Sequence, residues 1–245
     1  MGREGSALDV TVSNQYLKVL VVGGPGTGKS QFAATFPTPG YVFDCDGGIV
    51  SYKKKDFTYS QFDLSNAGYV DFTRELKATV AEAKEGKYQT IVLDSTSSLT
   101  DMAMERALTM DPKRSPTGGP VWNIHYSMVK HLVESTIKAL VSLPCNLVVI
   151  AHKEIVKNED DGSVVAVEPL LTGNLSRRIP GLFDEVYYAT TKNEGGKPHW
   201  YLQTVPRGLI EARSRISGRE RILPDLLDND YASIMAHIHA NKSHA

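Results

Sequence analysis

The stretch Gly23-Gly24-Pro25-Gly26-Thr27-Gly28-Lys29-Ser30 fits the pattern G-x-x-x-x-G-K-[ST]. It follows a β-branched run at residues 16–22 and precedes a helical pattern that ends before Pro37. Glycine permits backbone conformations in which successive N–H groups point into one concavity, and the N-terminus of the following helix adds partial positive charge. This stretch therefore predicts a phosphate-binding loop, or P-loop, between a buried strand and a helix.

The residues of this loop have distinct expected parts in nucleotide binding. Lys29 is expected to reach the β- and γ-phosphates of ATP, and the Ser30 hydroxyl is expected to hold Mg²⁺. The other predicted nucleotide-binding residues are Gly23, Gly24, Pro25, Gly26, Thr27, Gly28 and Gln31. The alternative is a glycine-rich turn that binds no ligand.

Acidic side chains follow two other predicted strands. Asp94 ends the apolar run at 90–93 and is expected to bind Mg²⁺, while a helix cap is the alternative. The next residue, Ser95, is not the glutamate that activates water in many ATPases, so the base is expected elsewhere. Asp46, at the end of the strand at 41–43, is the predicted base, and Asp44 is the second choice because alternation places both on one face. The alternative for Asp46 is a simple turn.

A histidine ends the fourth predicted strand at the same edge of the sheet. His152 follows the apolar run at 147–151, and it is expected either to sense the γ-phosphate or to form only a structural hydrogen bond.

Strands and helices alternate over the first two thirds of the chain. Helices are predicted at 28–36, 69–85, 97–110 and 121–143, the last being the longest, between the strands given above. A hairpin around Asp161-Gly162, strands at 184–190 and 199–204, and a helix at 231–239 follow. The pattern predicts an α/β fold with a mostly parallel twisted sheet flanked by helices and antiparallel strands near the C-terminus. One domain is expected over 1–245, with a core at about 15–215 and a helical tail at about 222–245.

The composition excludes several classes of protein. The chain has 245 residues, 41% of them hydrophobic, and a formal net charge of −1, so nucleic-acid binding must come from local basic clusters. Cys45 and Cys145 form no C-x-x-C pair, which excludes a disulfide scaffold and a cysteine zinc site. No apolar run reaches about 18 residues and the N-terminus lacks a signal-peptide pattern, so a cytoplasmic location without a membrane partner is expected.

These motifs together resemble a known family. The segments G-P-G-T-G-K-S (24–30), F-D-C-D-G-G (43–48), T-I-V-L-D-S (90–95), A-H-K-E (151–154) and F-D-E-V (183–186) are similar to phage-encoded P-loop ATPases with a shortened RecA-like core. Members of that group act in single-strand annealing or recombination. The resemblance covers about 15–215 and implies a RecA-like ATPase that uses ATP and Mg²⁺. It also implies a ring or filament of identical subunits, in the host cytoplasm, with single-stranded DNA and a single-strand-binding protein as partners.

The resemblance also implies where DNA is bound. The loops after the third and fourth strands correspond to 111–122 and 153–181, and their predicted DNA-binding residues are Lys113, Arg114, Lys153, Arg177 and Arg178. Arg177 and Arg178 are the best candidates because no acid is near them. Trp122 and Tyr126 stack on bases or, alternatively, belong to the core.

An arginine-rich segment completes the implied catalytic set. Arg213-Ser214-Arg215 matches the K-x-R spacing with which hexameric RecA-like ATPases reach the nucleotide of a neighbouring subunit, among five arginines at 207, 213, 215, 219 and 221. The alternative is an exposed basic strand or a DNA contact.

The leading hypothesis is a single-stranded DNA-binding protein that hydrolyses Mg²⁺-ATP to drive or regulate annealing or recombination. A helicase-like or packaging motor and a nucleotide-dependent assembly scaffold with little hydrolysis are the alternatives. A small-molecule kinase is disfavoured because no arginine-rich lid is apparent.

Overall fold

A computed structural model of the protein describes residues 16–218 and 220–242. Ten strands and six α-helices are assigned in these ranges. In chain order they are β1 (Lys18–Gly23), α1 (Lys29–Ala33), β2 (Gly40–Asp44), β3 (Phe57–Gln61), α2 (Asn66–Lys84), β4 (Thr90–Asp94), α3 (Thr96–Met110), α4 (Ser127–Val141), β5 (Asn146–Lys157), β6 (Val164–Pro169), α5 (Leu175–Arg178), β7 (Glu185–Glu194), β8 (Lys197–Gln203), β9 (Arg213–Ser214), β10 (Leu226–Asp228) and α6 (Tyr231–Lys242).

The strands form one sheet in the order β10-β8-β7-β1-β5-β4-β2-β3, with β6 added beside β5 and β9 beside β7. The six strands from β7 to β3 along this order are parallel, whereas β6, β8, β9 and β10 pair in antiparallel fashion. The predicted α/β fold with C-terminal antiparallel strands is confirmed. Only β5 separates the P-loop strand β1 from the strand β4 that ends at Asp94, so their carboxyl ends share one edge.

Each face of the sheet is covered by helices, and the alternation along β1 shows how. Leu20 and Val22 pack into the cluster that includes residues of α2, α3 and α4, whereas Val19 and Val21 pack into the cluster that includes α1 and α6. Successive side chains of a strand point to opposite faces, so a continuous apolar run is buried on both sides. Two cores therefore fix the strand that leads into the P-loop.

Some elements differ from their sequence-based prediction. Strand β3 was not predicted, because its sequence Phe57-Thr58-Tyr59-Ser60-Gln61 is largely polar and lies exposed at the sheet edge. Strand β5 is twelve residues long. It continues past His152, which pairs with the last residue of β1, into the predicted hairpin with β6. The predicted tail at 222–245 also contributes β10, which pairs with β8, while Tyr231 of α6 packs its ring 4.7 Å from that of Phe36.

The helix predicted at 121–143 begins with a π-helical turn, Trp122–Tyr126, before α4. His125 in this turn is fully buried; its Nδ1 accepts from the Val121 N–H at 2.8 Å and its Nε2 lies 2.9 Å from the Asp111 carbonyl oxygen. Because Nδ1 is an acceptor, Nε2 carries the hydrogen and donates it. One imidazole thus joins the two ends of the loop at 111–121. Within the part of the chain described, no helix is long and apolar enough to cross a membrane.

A buried carboxyl at the start of β7 predicts a pH-dependent stability. Burial raises the pKa of Glu185, although hydrogen bonds from groups including the Ile216 N–H and the Tyr187 hydroxyl oppose the rise. The folded chain therefore holds this proton to higher pH than the unfolded chain, and stability falls as pH rises through the folded pKa. Replacing Glu185 with glutamine is expected to remove that loss. The Tm of the variant minus the Tm of the parent should therefore increase from pH 4.5 to pH 8. Glu159→Gln, at an exposed hairpin position, is the control; a difference independent of pH would contradict the expectation.

Candidate functional site

The P-loop joins β1 to α1 in a tight turn that its glycines make possible. Gly26 and Gly28 have φ angles of 73° and 83°, in the region that side chains disfavour. A Cβ on Gly23 would lie 2.6 Å from Thr27 Oγ1 and 3.0 Å from the Ala189 carbonyl oxygen, so this position also requires glycine. The loop borders a cavity of about 360 Å³, whose lining residues are Gly26, Gly28, Lys29, Ser30, Gln31, Ser51 and Trp200.

Lys29, the first residue of α1, lies at the edge of this cavity. Its ammonium donates a 2.8 Å hydrogen bond to the Gly24 carbonyl oxygen and is largely buried. Burial lowers the pKa of Lys29, while the carboxylates of Asp94 and Asp46 oppose that shift. An anion in the cavity would supply the compensating charge, which favours phosphate binding.

Ser30 and Asp94 come together where α1 and β4 meet. The Ser30 hydroxyl donates to Asp94 Oδ2 at 2.7 Å, and the Tyr52 hydroxyl lies 3.5 Å from the same oxygen. Burial raises the pKa of Asp94 to about 6; the nearby carboxylates of Asp46 and Asp44 add to the rise, while Ser30 and Lys29 oppose it. Hydroxyl and carboxylate oxygens are the hard ligands that Mg²⁺ prefers, so the predicted pair fits this ion.

Asp46 is surrounded by hydrogen-bond donors. Its Oδ1 accepts from the hydroxyls of Ser95, at 3.1 Å, and Ser98, and its Oδ2 lies 2.9 Å from His152 Nε2. Burial acts to raise the pKa of Asp46, but the bonds to His152, Ser98 and Ser95 outweigh it and hold this pKa below its usual value. The predicted base and the predicted sensor thus form one cluster, in which the carboxylate is ionised at neutral pH.

Asp44 has a different role from Asp46. It is buried, and it accepts from the N–H groups of Asp46 at 3.3 Å and Gly48 at 2.9 Å and from Gln61 Nε2 at 2.8 Å. The strand alternation from which a shared face was predicted ends at Asp44, because β2 ends there and the chain turns before Asp46. Asp44 stabilises this turn, so it is not a suitable base.

The predicted arginine pair lies away from the P-loop. Strand β9, Arg213–Ser214, pairs with the start of β7, which lies beside the start of β1. The pair therefore lies at the amino-terminal ends of the parallel strands, whereas the P-loop lies at their carboxyl ends. Arg213 Nη2 donates to the carbonyl oxygens of Pro180 and Phe183 at 2.6 and 2.8 Å. Arg215 Nη1 lies 2.7 Å from Asp184 Oδ1. Neither arginine reaches the nucleotide site of its own chain; a role in a neighbouring subunit stays a prediction, and Arg219 lies outside the described residues.

The expectation that Arg177 and Arg178 have no acid nearby is wrong. Arg177 Nε lies 3.0 Å from Glu168 Oε1, and Arg178 Nη2 lies 2.9 Å from Glu134 Oε1. Glu134 lies 44 positions before Arg178, so only the tertiary structure brings this pair together, whereas Glu168 lies 9 positions before Arg177. The positive charge available to DNA phosphates at this site is thereby reduced.

The other three predicted DNA-binding residues have dissimilar surroundings. Arg114 donates to the carbonyl oxygens of Leu108, Asp111 and Lys113 and so closes the end of α3, whereas Lys113 has no acidic partner among residues 16–218 and 220–242. Lys153 lies against the P-loop: its Cε and Nζ are 3.3 and 3.9 Å from the position of a Cβ on Gly24. The position of Lys153 favours a role at the nucleotide site.

Several residues at the site were not found from the sequence. Ser98 contacts Asp46 from one turn into α3, and Trp200 and Asn229 contact the P-loop from β8 and from the residue after β10. A hydroxyl one helical turn after Ser95 was a visible signal for Ser98. No local pattern marks Trp200 or Asn229, because their contacts depend on how the C-terminal strands pair.

Comparison with known proteins agrees with this geometry. The family model described as an AAA domain, AAA_24, matches residues 15–216. The chain belongs to this AAA domain family. As a member of AAA_24 it carries a P-loop ATPase domain, and its sheet has the predicted mostly parallel α/β arrangement. A search of curated proteins finds no match.

Two solved structures are similar to this AAA_24 member at low identity. A KaiC-like protein from Pyrococcus horikoshii OT3 is 14% identical with a TM-score of 0.42, and the similarity covers 81% of each chain. The flagellar accessory protein FlaH from Methanocaldococcus jannaschii is 9% identical with a TM-score of 0.40, over 86% of this chain and 83% of that one.

Proposed function

We propose that this protein hydrolyses ATP in the presence of Mg²⁺, binds single-stranded DNA, and uses hydrolysis to drive or regulate annealing or recombination as a ring or filament. The observation that carries the hydrolysis is the Asp46 carboxylate, which three hydrogen-bond donors hold beside the Ser30–Asp94 pair. This arrangement supplies a base next to a phosphate-binding loop.

The residues divide the chemical step between them. The P-loop amides and Lys29 hold the triphosphate, and Ser30 and Asp94 would hold Mg²⁺, which when bound would supply positive charge to the phosphates. Asp46 accepts a proton from water as the water oxygen bonds to the γ-phosphorus and the bond from that phosphorus to the bridging oxygen breaks. The products are ADP and inorganic phosphate. His152, Ser95 and Ser98 keep the accepting carboxylate in place.

Lys153 supports this assignment from the side of the P-loop. Its ammonium lies near Gly24, and the ammonium of Lys29 donates to the Gly24 carbonyl oxygen. Two positive charges therefore lie at the same part of the loop. Since Arg213 and Arg215 lie at the opposite edge of the sheet, Lys153 is the nearer source of a second positive charge within one chain.

An exposed aromatic pair supports the DNA part of the proposal. The rings of Trp122 and Tyr126 lie 4.6 Å apart, and Trp122 is 65% exposed next to the loop that carries Lys113 and Arg114. Bases stack on such side chains with little regard to sequence, while neighbouring cations attract the phosphates. The segment at 111–126 therefore replaces 153–181 as the favoured DNA-binding region.

ATPase rate measured with and without single-stranded DNA, on a sample also imaged for oligomers, tests the proposal. We expect hydrolysis that requires Mg²⁺ and is stimulated by single-stranded DNA. Binding of ATP without hydrolysis would favour an assembly scaffold, and duplex unwinding with fixed polarity would favour a motor. Hydrolysis unaffected by DNA, with no DNA binding at low salt, would contradict the DNA part alone.

The ion pairs of Arg177 and Arg178 predict how DNA binding responds to mutation. Replacing both with alanine is expected to change the dependence of affinity on salt only slightly, because the ion pairs with Glu168 and Glu134 reduce the positive charge that these arginines offer to DNA phosphates. Replacing Trp122 with alanine is expected to weaken single-stranded DNA binding roughly tenfold through lost stacking. Fluorescence anisotropy with labelled oligonucleotides across a salt series measures both; a flattened slope in the arginine variant would restore the original assignment.

A further inference from the structure

Trp200 lies on the P-loop although it is distant from it in sequence. Its Nε1 donates a 3.0 Å hydrogen bond to the Gly26 carbonyl oxygen. A Cβ on Gly28 would lie 2.9 Å from Trp200 Cδ1 and 3.2 Å from Cγ, so the indole packs directly against the loop backbone. The absence of a side chain on Gly28 thus allows both the turn and the approach of this ring.

The position of Trp200 is fixed by the pairing of the C-terminal strands. Thr191 of β7 pairs with Trp200 of β8 beyond the level at which β1 ends, so this hairpin projects past the sheet edge beside the P-loop. Asn229 joins the two parts: its N–H donates to the Trp200 carbonyl oxygen at 3.3 Å, and its Nδ2 donates to the Gly28 carbonyl oxygen at 2.8 Å. Asn229 therefore links the backbone of Trp200 directly to the P-loop.

Trp200 also lines the cavity of about 360 Å³ in front of the P-loop, together with Lys29 and Ser30. Among the described residues that line this cavity it is the sole aromatic one, and 37% of its surface remains exposed. The loop amides, Lys29 and Ser30 account for the phosphates of a nucleotide, but none of them offers an apolar surface to its base. Trp200 offers such a surface, in the same cavity, to a base joined to those phosphates through one ribose.

We propose that the indole of Trp200 is the stacking surface for the base of the bound nucleotide. This inference rests on the proposed function, since it assigns a second subsite to the same ligand. Stacking of a base on an aromatic ring changes affinity by about fivefold to more than a hundredfold.

The test compares two ligands with the same phosphate chain length, the β,γ-imido analogue of ATP and inorganic tripolyphosphate, both with Mg²⁺. Trp122→Phe leaves Trp200 as the single tryptophan of the chain, so its emission reports on the base subsite. We expect the ATP analogue to quench this emission and tripolyphosphate to compete with the analogue while leaving the emission almost unchanged. Equal quenching by both ligands would overturn the proposal without any mutation at Trp200.

Two substitutions in the same background complete the test. Trp200→Ala is expected to lower affinity for the ATP analogue roughly tenfold and affinity for tripolyphosphate less than twofold, measured by calorimetry. Trp200→Phe keeps a stacking ring and loses the bond to Gly26, so it should recover most of the affinity. Equal losses for both ligands, or none, would overturn the base subsite. If neither ligand binds the Trp122→Phe protein, the proposed function itself fails.

Discussion

Replacement of Lys29 with alanine is expected to lower affinity for ATP on the order of 100-fold. The ammonium is the charged donor at the edge of the P-loop cavity, and hydrogen bonds to charged groups contribute about 1.5–3 kcal/mol each. Without nucleotide the same ammonium is largely buried, and burial lowers its pKa. The free variant should therefore fold at least as stably as the parent, while binding is lost.

Calorimetry with the β,γ-imido ATP analogue measures the affinity, and Tm without nucleotide measures the fold. Lys55→Ala removes an equal charge from an exposed position after the segment Ile49–Tyr52, so it should change neither quantity appreciably. An unchanged affinity in Lys29→Ala would show that the loop does not hold phosphate through this lysine.

Replacement of Asp46 with asparagine is expected to reduce the rate of hydrolysis by a factor of about 10²–10⁴, with ATP binding retained. The change removes the group that accepts the proton, and general base catalysis supplies rate factors of that size. Because hydrogen bonds from His152, Ser98 and Ser95 hold the pKa of Asp46 below its usual value, its ionised form persists from pH 6 to 8. The rate of the parent should not fall over that range through protonation of Asp46. Single-turnover hydrolysis measures the rate.

Asp44 is the matched control, two residues away and of the same chemical type. Asp44→Ala leaves the Gly48 N–H and Gln61 Nε2 without their acceptor, so it should lower the free energy of unfolding by about 1–3 kcal/mol. Asp46→Asn should also lower Tm, because it removes the charge of a carboxylate whose pKa is held down by hydrogen bonds, so the rate is compared per folded molecule. A large loss of Tm with a normal rate per folded molecule in Asp46→Asn would instead make Asp46 structural.

The sequence predicted the centre of the sheet because each of its parallel strands is a short apolar run bounded by glycine, proline or aspartate. These runs are buried on both faces, so their pattern needs no partner to be recognised. The edge strand β3 lacks such an apolar run, since polar residues alternate with aromatic ones along it, and so the sequence does not predict it. Its assignment depends on its hydrogen bonds with β2, which are contacts between separate segments.

The sequence by itself determined the P-loop, and it placed Asp94, Asp46 and His152 at one edge, since the carboxyl ends of parallel strands converge. Only the tertiary structure decided which carboxylate receives the donors, that Glu134 pairs with Arg178, and that Trp200 covers the loop. Local motifs follow from backbone conformation over a few residues. Ion pairs and cavity walls can join side chains from separate segments of the chain. The residues around each partner do not show which segments meet.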